Sequence, residues 1–362
     1  MTDYYNKYLK YRNKYLQLKK LKGGNIVNLD GIPIIEPSIA SSKYGVLFQA
    51  AFPTLSRSIV KSLTRGDILQ DSFSCKKFLV EKSDNEKRIK SISKFAKTWG
   101  IKPETIQTCD NKEDENKCWD KFKNINELFY RKRKDLPDIN TESNIITSST
   151  DCYCTIFKTF NESKKLWIKG NNYTIQKLLG LELLPFVSDN IGSIIFRLAP
   201  HHYHRIHSPI NGKIISIKKL GTEYYSVQPI IVNSHVHDVF TENKRVVLEI
   251  EPTIYPGKKI YFVIIGATCV GSIVFSQLNI NNYFNLNRNI TDVDITDITF
   301  TEPIIIKQNE ELGWFQYGGS TCVLIYDTQY YDLTKNGNKI AENSQSIIET
   351  EITVGLELLT PK

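Results

Sequence analysis

From Ile260 to Ile280 the chain runs for 21 residues, IYFVIIGATCVGSIVFSQLNI, without a charged side chain. Such a run must leave water, and it can do so in two ways. One helix of about 20 apolar residues crosses a bilayer. Alternatively, short strands bury both of their faces inside a protein. Ile and Val dominate here, Gly266 and Gly271 interrupt the run, and it turns polar from Ser276 to Asn279. β-Branched side chains suit the pleated surface of a strand, and glycine marks a bend or a close approach. The run therefore predicts two buried strands and no membrane span, which commits the chain around it to a sheet.

The same texture fills the chain from about Asn140 onward, where short runs of Ile, Val, Thr and Tyr alternate with Gly, Pro and Asn. Strands are predicted at Ile145–Ser148, Tyr153–Phe157, Ser193–Leu198, Gly212–Ile217, Val246–Glu251, Ile260–Ala267, Ser272–Phe275 and Cys322–Tyr326. Residues 345–358 alternate Ile and Val with polar residues and predict edge strands.

The first 139 residues have a different period. Tyr8, Tyr11, Tyr15 and Leu18 share one face of a basic amphipathic helix that ends at Gly23-Gly24. Residues 26–50, with Pro33 and Pro37, read as irregular connection. Leu55, Ile59 and Leu63 mark a second helix after Pro53. Residues 85–99 give a third, stopped by Gly100, and residues 117–134 a fourth, with Arg131-Lys-Arg-Lys134 at its end to suit the helix dipole. The expected class is α+β. A basic helix (1–25) and a mainly helical region (26–139) precede a β-rich catalytic domain (140–362).

Charge narrows the partners. The net charge is +8, but residues 1–25 carry seven Lys or Arg against one Asp, so the remainder is nearly balanced. A basic nucleic-acid face on the main body is not expected. The tail suits an anionic membrane surface, and equally a solvated, frayed N-terminal helix. Seven cysteines form no C-x-x-C pair, and no secretory h-region is evident. Reduced thiols in the cytoplasm or at a membrane periphery are the expectation. Cys152 and Cys154 alternate along a predicted strand near Asp151 and could bind metal, but buried apolar thiols fit them better.

Two stretches carry chemistry. Gly318-Gly-Ser-Thr321 separates the aromatic Glu311-Leu-Gly-Trp-Phe-Gln-Tyr317 from the apolar strand Cys322–Tyr326. Adjacent glycines admit a backbone geometry closed to other residues, and a serine after them can bring its hydroxyl onto the preceding carbonyl. An ordinary Gly-Gly turn between strands fits these four residues equally. The second stretch is Arg197-Leu-Ala-Pro-His-His-Tyr-His-Arg-Ile-His-Ser-Pro209, which holds four of the six histidines. It contains no Cys or carboxylate and no H-E-x-x-H, so acid–base work suits it better than a metal.

These stretches together resemble the signature of the phosphatidylserine decarboxylases. Further blocks fall in the family's order. They are Asn126-Glu-Leu-Phe-Tyr-Arg131, Lys169-Gly-Asn-Asn-Tyr173, Tyr225-Ser-Val-Gln-Pro229, Phe240-Thr-Glu-Asn-Lys-Arg-Val246, Gly266-Ala-Thr-Cys-Val-Gly-Ser272 and Glu311-Leu-Gly-Trp-Phe-Gln. The resemblance implies sheets like those of barrel-sandwich hybrids and a proenzyme that cuts itself between Gly319 and Ser320. A β chain, 1–319, would stay bound to an α chain, 320–362. Ser320 is implied as the self-cleavage nucleophile that becomes a pyruvoyl group. His207 is implied as its base, Asp151 as the carboxylate orienting His207, and His204 as the residue of the decarboxylation step.

A pyruvoyl ketone condenses with the substrate amine as a Schiff base and accepts the electrons released with CO2, the work usually done by pyridoxal phosphate. Neither pyridoxal phosphate nor a metal is expected. The implied reaction converts phosphatidylserine to phosphatidylethanolamine, with a homodimer as a further possibility. Two alternatives stand beside it: a soluble pyruvoyl-dependent decarboxylase of a free aromatic amino acid, and a degenerate homologue that is never cut.

Overall fold

The structure, a computed structural model, describes residues 26–34, 84–110, 114–139, 142–166, 173–186, 190–223, 225–227, 232, 238–267, 273–276, 296–316 and 320–362. The helices expected at 4–21 and after Pro53, the boundary at Asn140, and Gly318-Gly319 lie outside these residues. So do Cys75, Cys269, Lys169–Asn172, Gln228-Pro229 and 268–272.

In chain order the elements begin with β1 (Ile26–Val27), β2 (Pro33–Ile34), α1 (Asn85–Trp99), α2 (Glu115–Asp120), α3 (Ile125–Phe129), β3 (Ile146–Thr147) and β4 (Cys152–Phe157). Next come α4 (Phe160–Leu166), α5 (Ile175–Leu179), β5 (Ile191–Leu198), β6 (Arg205–His207), β7 (Gly212–Leu220), α6 (Val239–Glu242) and β8 (Arg245–Pro252). The rest are β9 (Ile260–Gly266), β10 (Ile273–Phe275), β11 (Thr296–Ile306), β12 (Glu311–Phe315), β13 (Ser320–Asp327), β14 (Tyr331–Leu333), α7 (Lys335–Gln345), β15 (Glu349–Ile352) and β16 (Glu357–Pro361).

A ten-stranded sheet in the order β11-β7-β8-β9-β13-β5-β4-β15-β1-β2 forms the centre, with three-stranded sheets β10-β12-β6 and β14-β16-β3 beside it. Its middle strands are apolar on both faces. In β13, Cys322, Leu324 and Tyr326 enter one core while Val323 and Ile325 enter another; in β9, Ile260, Phe262 and Ile264 oppose Tyr261, Val263 and Ile265 in the same way. Each such side chain contributes about 1.5–3 kcal/mol on burial. That is why the sequence shows an unbroken apolar run here in place of alternation. Among the described residues no helix is long and apolar enough to cross a membrane.

α1 matches its expected bounds because both ends are signalled. The Asp84 carboxylate accepts from Lys87 N–H, and Gly100 closes the helix in the left-handed region at φ 65°. The helix expected over 117–134 is instead two short helices. The Asn124 side chain accepts from Glu127 N–H and starts α3, while Glu127 reaches back to Lys123 N–H. Arg131–Lys134 do not extend a helix. Lys132 O accepts from Gln107 N–H, and Lys134 N–H donates to Thr105 O, so this basic run pairs with an extended segment. Cys109 and Cys118 form a disulfide, Cα–Cα 5.0 Å, which corrects the expectation of reduced thiols throughout. Cys152, Cys154 and Cys322 are free and buried.

Two further expectations change. Residues 26–34 are not simply connection: β1 pairs in parallel with β15 and antiparallel with β2. Nor are the last strands edges. β15 lies between β1 and β4, and β16 lies between β14 and β3. α7, which no sequence expectation covers, packs against β4, β15 and β16.

Candidate active site

Two of the chain's crossings between the large sheet and the small sheet β10-β12-β6 are β5 to β6 and β12 to β13. β5 leads through Ala199–His204 into β6, and β12 leads towards β13. β5 pairs with β13, with Leu198 opposite Ser320. β6 pairs with β12, with Arg205 opposite Trp314 and His207 opposite Glu311. Arg205 fastens this second pair: it bonds Glu311 at 2.7 Å and its guanidinium lies 5.0 Å from the Trp314 ring centroid. Gly313 is required in β12, since a Cβ there would stand 2.1 Å from Val274 O.

This arrangement brings together two residues 116 positions apart. Ser320 Oγ stands 3.2 Å from His204 Nδ1, with both residues fully buried. Phe315 N–H donates to His204 O at 2.9 Å and pins the crossings to each other. The other ring nitrogen, His204 Nε2, is 2.9 Å from Ala199 O. A carbonyl only accepts, so Nε2 carries the hydrogen and Nδ1 presents its lone pair to the serine hydroxyl. The Phe129 ring covers the imidazole, centroids 3.6 Å apart and planes 23° apart. Burial pushes the His204 pKa well below 6.5, the Ala199 carbonyl opposes that shift, and His202, Arg131 and His201 reinforce it. His204 is therefore a neutral base at neutral pH.

His207 is placed differently. Its Nδ1 is held by Asn309 O at 2.6 Å and its Nε2 by the Tyr203 hydroxyl at 3.0 Å. Burial lowers its pKa too, against the pull of the Asn309 carbonyl. Asn309 takes the left-handed φ of 65°, which asparagine tolerates better than most residues. Asp151 pairs with Arg133 and accepts from Val354 N–H at 2.9 Å. The Asp151 carboxylate is thus bonded to Arg133 and Val354 N–H, and the imidazole in contact with Ser320 is that of His204. The turn that carries Asp151 is committed in other ways. Ser149 O takes His207 N–H at 2.8 Å, and Thr150 Oγ1 donates to Tyr203 O at 2.9 Å. The turn grips the histidine stretch through the Ser149 carbonyl and the Thr150 hydroxyl and leaves the Asp151 carboxylate to Arg133.

His201, His202 and Glu351 form a second cluster whose nitrogen and oxygen atoms lie within 4.8 Å of one another. Its donor set does not suit a metal. His202 Nδ1 accepts from Ala199 N–H at 2.9 Å, so in the neutral ring Nε2 holds the hydrogen and has no lone pair to give.

Sequence reasoning missed Phe129, Ala199, Tyr203, Asn309 and Glu351. Phe129 stands in a quoted block but reads as core, and Ala199 acts through its backbone, which no side chain advertises.

Residues 125–348 match the phosphatidylserine decarboxylase family. Over 250 residues the chain is 38% identical to phosphatidylserine decarboxylase proenzyme 2 of Saccharomyces cerevisiae, covering 68% of this chain and 19% of that protein. It is 33% identical over 242 residues to phosphatidylserine decarboxylase proenzyme 2 of Oryza sativa subsp. japonica, covering 66% and 34%. It is 32% identical over 238 residues to the phosphatidylserine decarboxylase proenzyme of Fusobacterium nucleatum, covering 65% and 69%. The chain thus spans about a fifth of the yeast relative and about a third of the rice one, against 69% of the bacterial one.

Proposed function

Because this chain belongs to the phosphatidylserine decarboxylase family, we propose that it is a self-cleaving, pyruvoyl-dependent decarboxylase of phosphatidylserine, a carboxy-lyase. The observation that carries the reading is the Ser320 hydroxyl on the free Nδ1 of a buried histidine whose Nε2 is tied to a carbonyl.

The chemistry follows from those atoms. Neutral His204 takes the Ser320 Oγ proton at Nδ1 as Oγ attacks the carbonyl carbon of Gly319. The 319–320 C–N bond breaks, the proton passes to the Ser320 nitrogen, and the peptide becomes an ester. Loss of the Ser320 Cα proton then expels the Gly319 carboxylate, and hydrolysis releases ammonia. A ketone at position 320 fits a site that is dry, fixed at the start of a central strand and faced by one imidazole. That ketone would supply the electron sink for loss of CO2. His204 would remain beside it to hold or deliver a proton at Nδ1. This reading gives His204 the base role first expected of His207, and leaves His207 and Tyr203 to hold the strand that follows.

The piece 320–362 would stay bound after cutting, because β13, β15 and β16 are integral to two sheets. Residues 140–362 form the catalytic body in this reading. The basic segment 1–25 would meet an anionic, phosphatidylserine-bearing membrane surface.

Intact-mass measurement of the purified chain tests the proposal. Two fragments that part between residues 319 and 320, and borohydride reduction with an amine that labels only the shorter one, are expected. Ser320→Ala should give one uncut chain without activity on phosphatidylserine vesicles. A cut Ser320→Ala chain, or an uncut wild type, would refute the assignment.

A further inference from the structure

We propose that Tyr130, Arg205 and Trp314 form a lip that docks the active site onto the headgroup layer of an anionic bilayer. The inference rests on the reading of phosphatidylserine as the substrate.

Each of the three is the chain neighbour of a residue that walls in the site. Tyr130 follows Phe129, whose ring covers His204. Arg205 follows His204, whose imidazole stands 3.2 Å from Ser320 Oγ. Trp314 precedes Phe315, whose N–H donates to His204 O at 2.9 Å. Phe129, His204 and Phe315 are fully buried, whereas Tyr130 and Trp314 are partly exposed. Neighbouring side chains on an extended chain point to opposite faces. Arg205 and Trp314, paired in register across β6 and β12, therefore turn away from the site.

The outer residues hold one another. Arg205 Nε donates to Tyr130 O at 2.9 Å, and the guanidinium lies 5.9 Å from the Tyr130 ring centroid and 5.0 Å from that of Trp314. The two rings are 5.9 Å apart. Glu311 balances the arginine's charge at 2.7 Å and accepts from Ser276 Oγ at 2.8 Å. Among the described residues neither the Tyr130 hydroxyl nor the Trp314 indole N–H has a hydrogen-bond partner. Neither is sealed from solvent, unlike the indole N–H groups of Trp99 and Trp119. A ring fixed at its base with its polar tip free is what a membrane–water interface favours in Tyr and Trp.

Charge favours the same partner. Lys123, just ahead of α3, and Lys132, two residues past Tyr130, are exposed and have no ion pair among the described residues. Glu127 is turned back onto Lys123 N–H at 2.7 Å. Cations at such a surface attract anionic headgroups. Reach decides the rest. The headgroup layer is only about 5–7 Å deep on each side of a bilayer, and the lipid itself tethers the serine amine to it. A lipid still seated in its leaflet reaches a ketone at position 320 only where the surface bordering that position touches the membrane. The basic segment 1–25 could hold the chain to a vesicle at a distance; only the lip places Trp314 among the lipids.

The test uses the full-length chain and vesicles of phosphatidylserine and phosphatidylcholine, with brominated acyl chains to quench tryptophan fluorescence. Quenching is expected in the wild type and should be lost in Trp314→Phe, which keeps an aromatic ring in the stack. Turnover is compared on vesicles and on dispersed short-chain phosphatidylserine, with melting curves to confirm that each variant is folded. Trp314→Ser and Tyr130→Ser should each lower the ratio of vesicle to dispersed turnover about 10-fold, the size expected for one half-buried aromatic ring. Quenching that survives Trp314→Phe would overturn the proposal. So would a wild type that binds these vesicles unquenched or not at all, or variants that lose both turnovers equally. Should the wild type act on neither form of the lipid, the parent reading fails separately, and the quenching experiment still decides this one.

Discussion

Phe129→Ala offers the sharpest view of how burial controls this site. Phe129 is fully buried and its ring covers His204 at 3.6 Å. Truncation should cost about 3–5 kcal/mol of stability and admit water to the imidazole. The groups facing His204 would remain: His202, Arg131 and His201 disfavour its proton, and the Ala199 carbonyl favours it. Desolvation is the leading cause of the lowered pKa, so its removal should let the value climb back towards 6.5. Only the neutral ring can take the serine proton. In the wild type, with its pKa well below 6.5, cutting should proceed at pH 5.5 nearly as fast as at pH 7.5. In the variant, a pKa near 6.5 leaves about one ring in ten neutral at pH 5.5, so cutting should slow about 10-fold between the two pH values. The assay chases pulse-labelled chain at both pH values and follows the 1–319 and 320–362 fragments, with melting curves to confirm that the variant is folded. Phe129→Leu serves as the milder version. A variant whose pH ratio equals that of the wild type would refute desolvation by Phe129. A wild type that already fails near pH 6.5 would refute a buried neutral His204.

Other outcomes follow from neighbouring contacts. His204→Ala should abolish cutting, whereas His207→Ala, which removes no contact to Ser320, should slow it less; the reverse order in a pulse-chase would restore His207 as the base. Arg197→Leu should destabilise by about 3–5 kcal/mol by breaking the buried pair with Glu349, and adding Glu349→Leu should recover part of the loss in a denaturant melt. Acid should weaken the fold through His202. Its folded pKa of about 4 lies below its unfolded 6.5, so the unfolded state binds the extra proton, and up to about 3 kcal/mol is lost as pH falls from 6.5 to 4. A stability curve flat over that window would contradict the burial assigned to this ring. Cys109→Ser opens a disulfide closing a separation of nine residues and should cost about 2–3 kcal/mol, read as a lowered melting temperature that reductant reproduces in the parent protein.

What the sequence makes legible here is whatever local physics decides. α1 declares itself by Asp84 and Gly100, and β9 and β13 by runs that only burial on two faces explains. The split between α2 and α3 rests on one capping side chain, Asn124, inside an otherwise helical pattern. The placement of β15 and β16 inside sheets depends on partners far along the chain, β4 and β1 for one, β3 and β14 for the other. The serine and the histidine stretch were both readable, since each is a dense local pattern. Which histidine meets the serine was not. His204 and His207 are three residues apart, and the choice is made by where β5 ends and β6 begins. Ala199, Asn309 and Glu351 enter through a main-chain carbonyl, another main-chain carbonyl and a distant strand, and spacing encodes none of these.

The position of Ser320 as the first residue of β13, between β9 and β5, has a thermodynamic sequel. A chain that folds whole and is afterwards divided at that point has reached its native state by a unimolecular route that no longer exists. Once melted, it could re-form only when two separate polypeptides collide, so recovery would scale with protein concentration. Dilution before renaturation should then be harmless to uncut Ser320→Ala and ruinous to the divided protein.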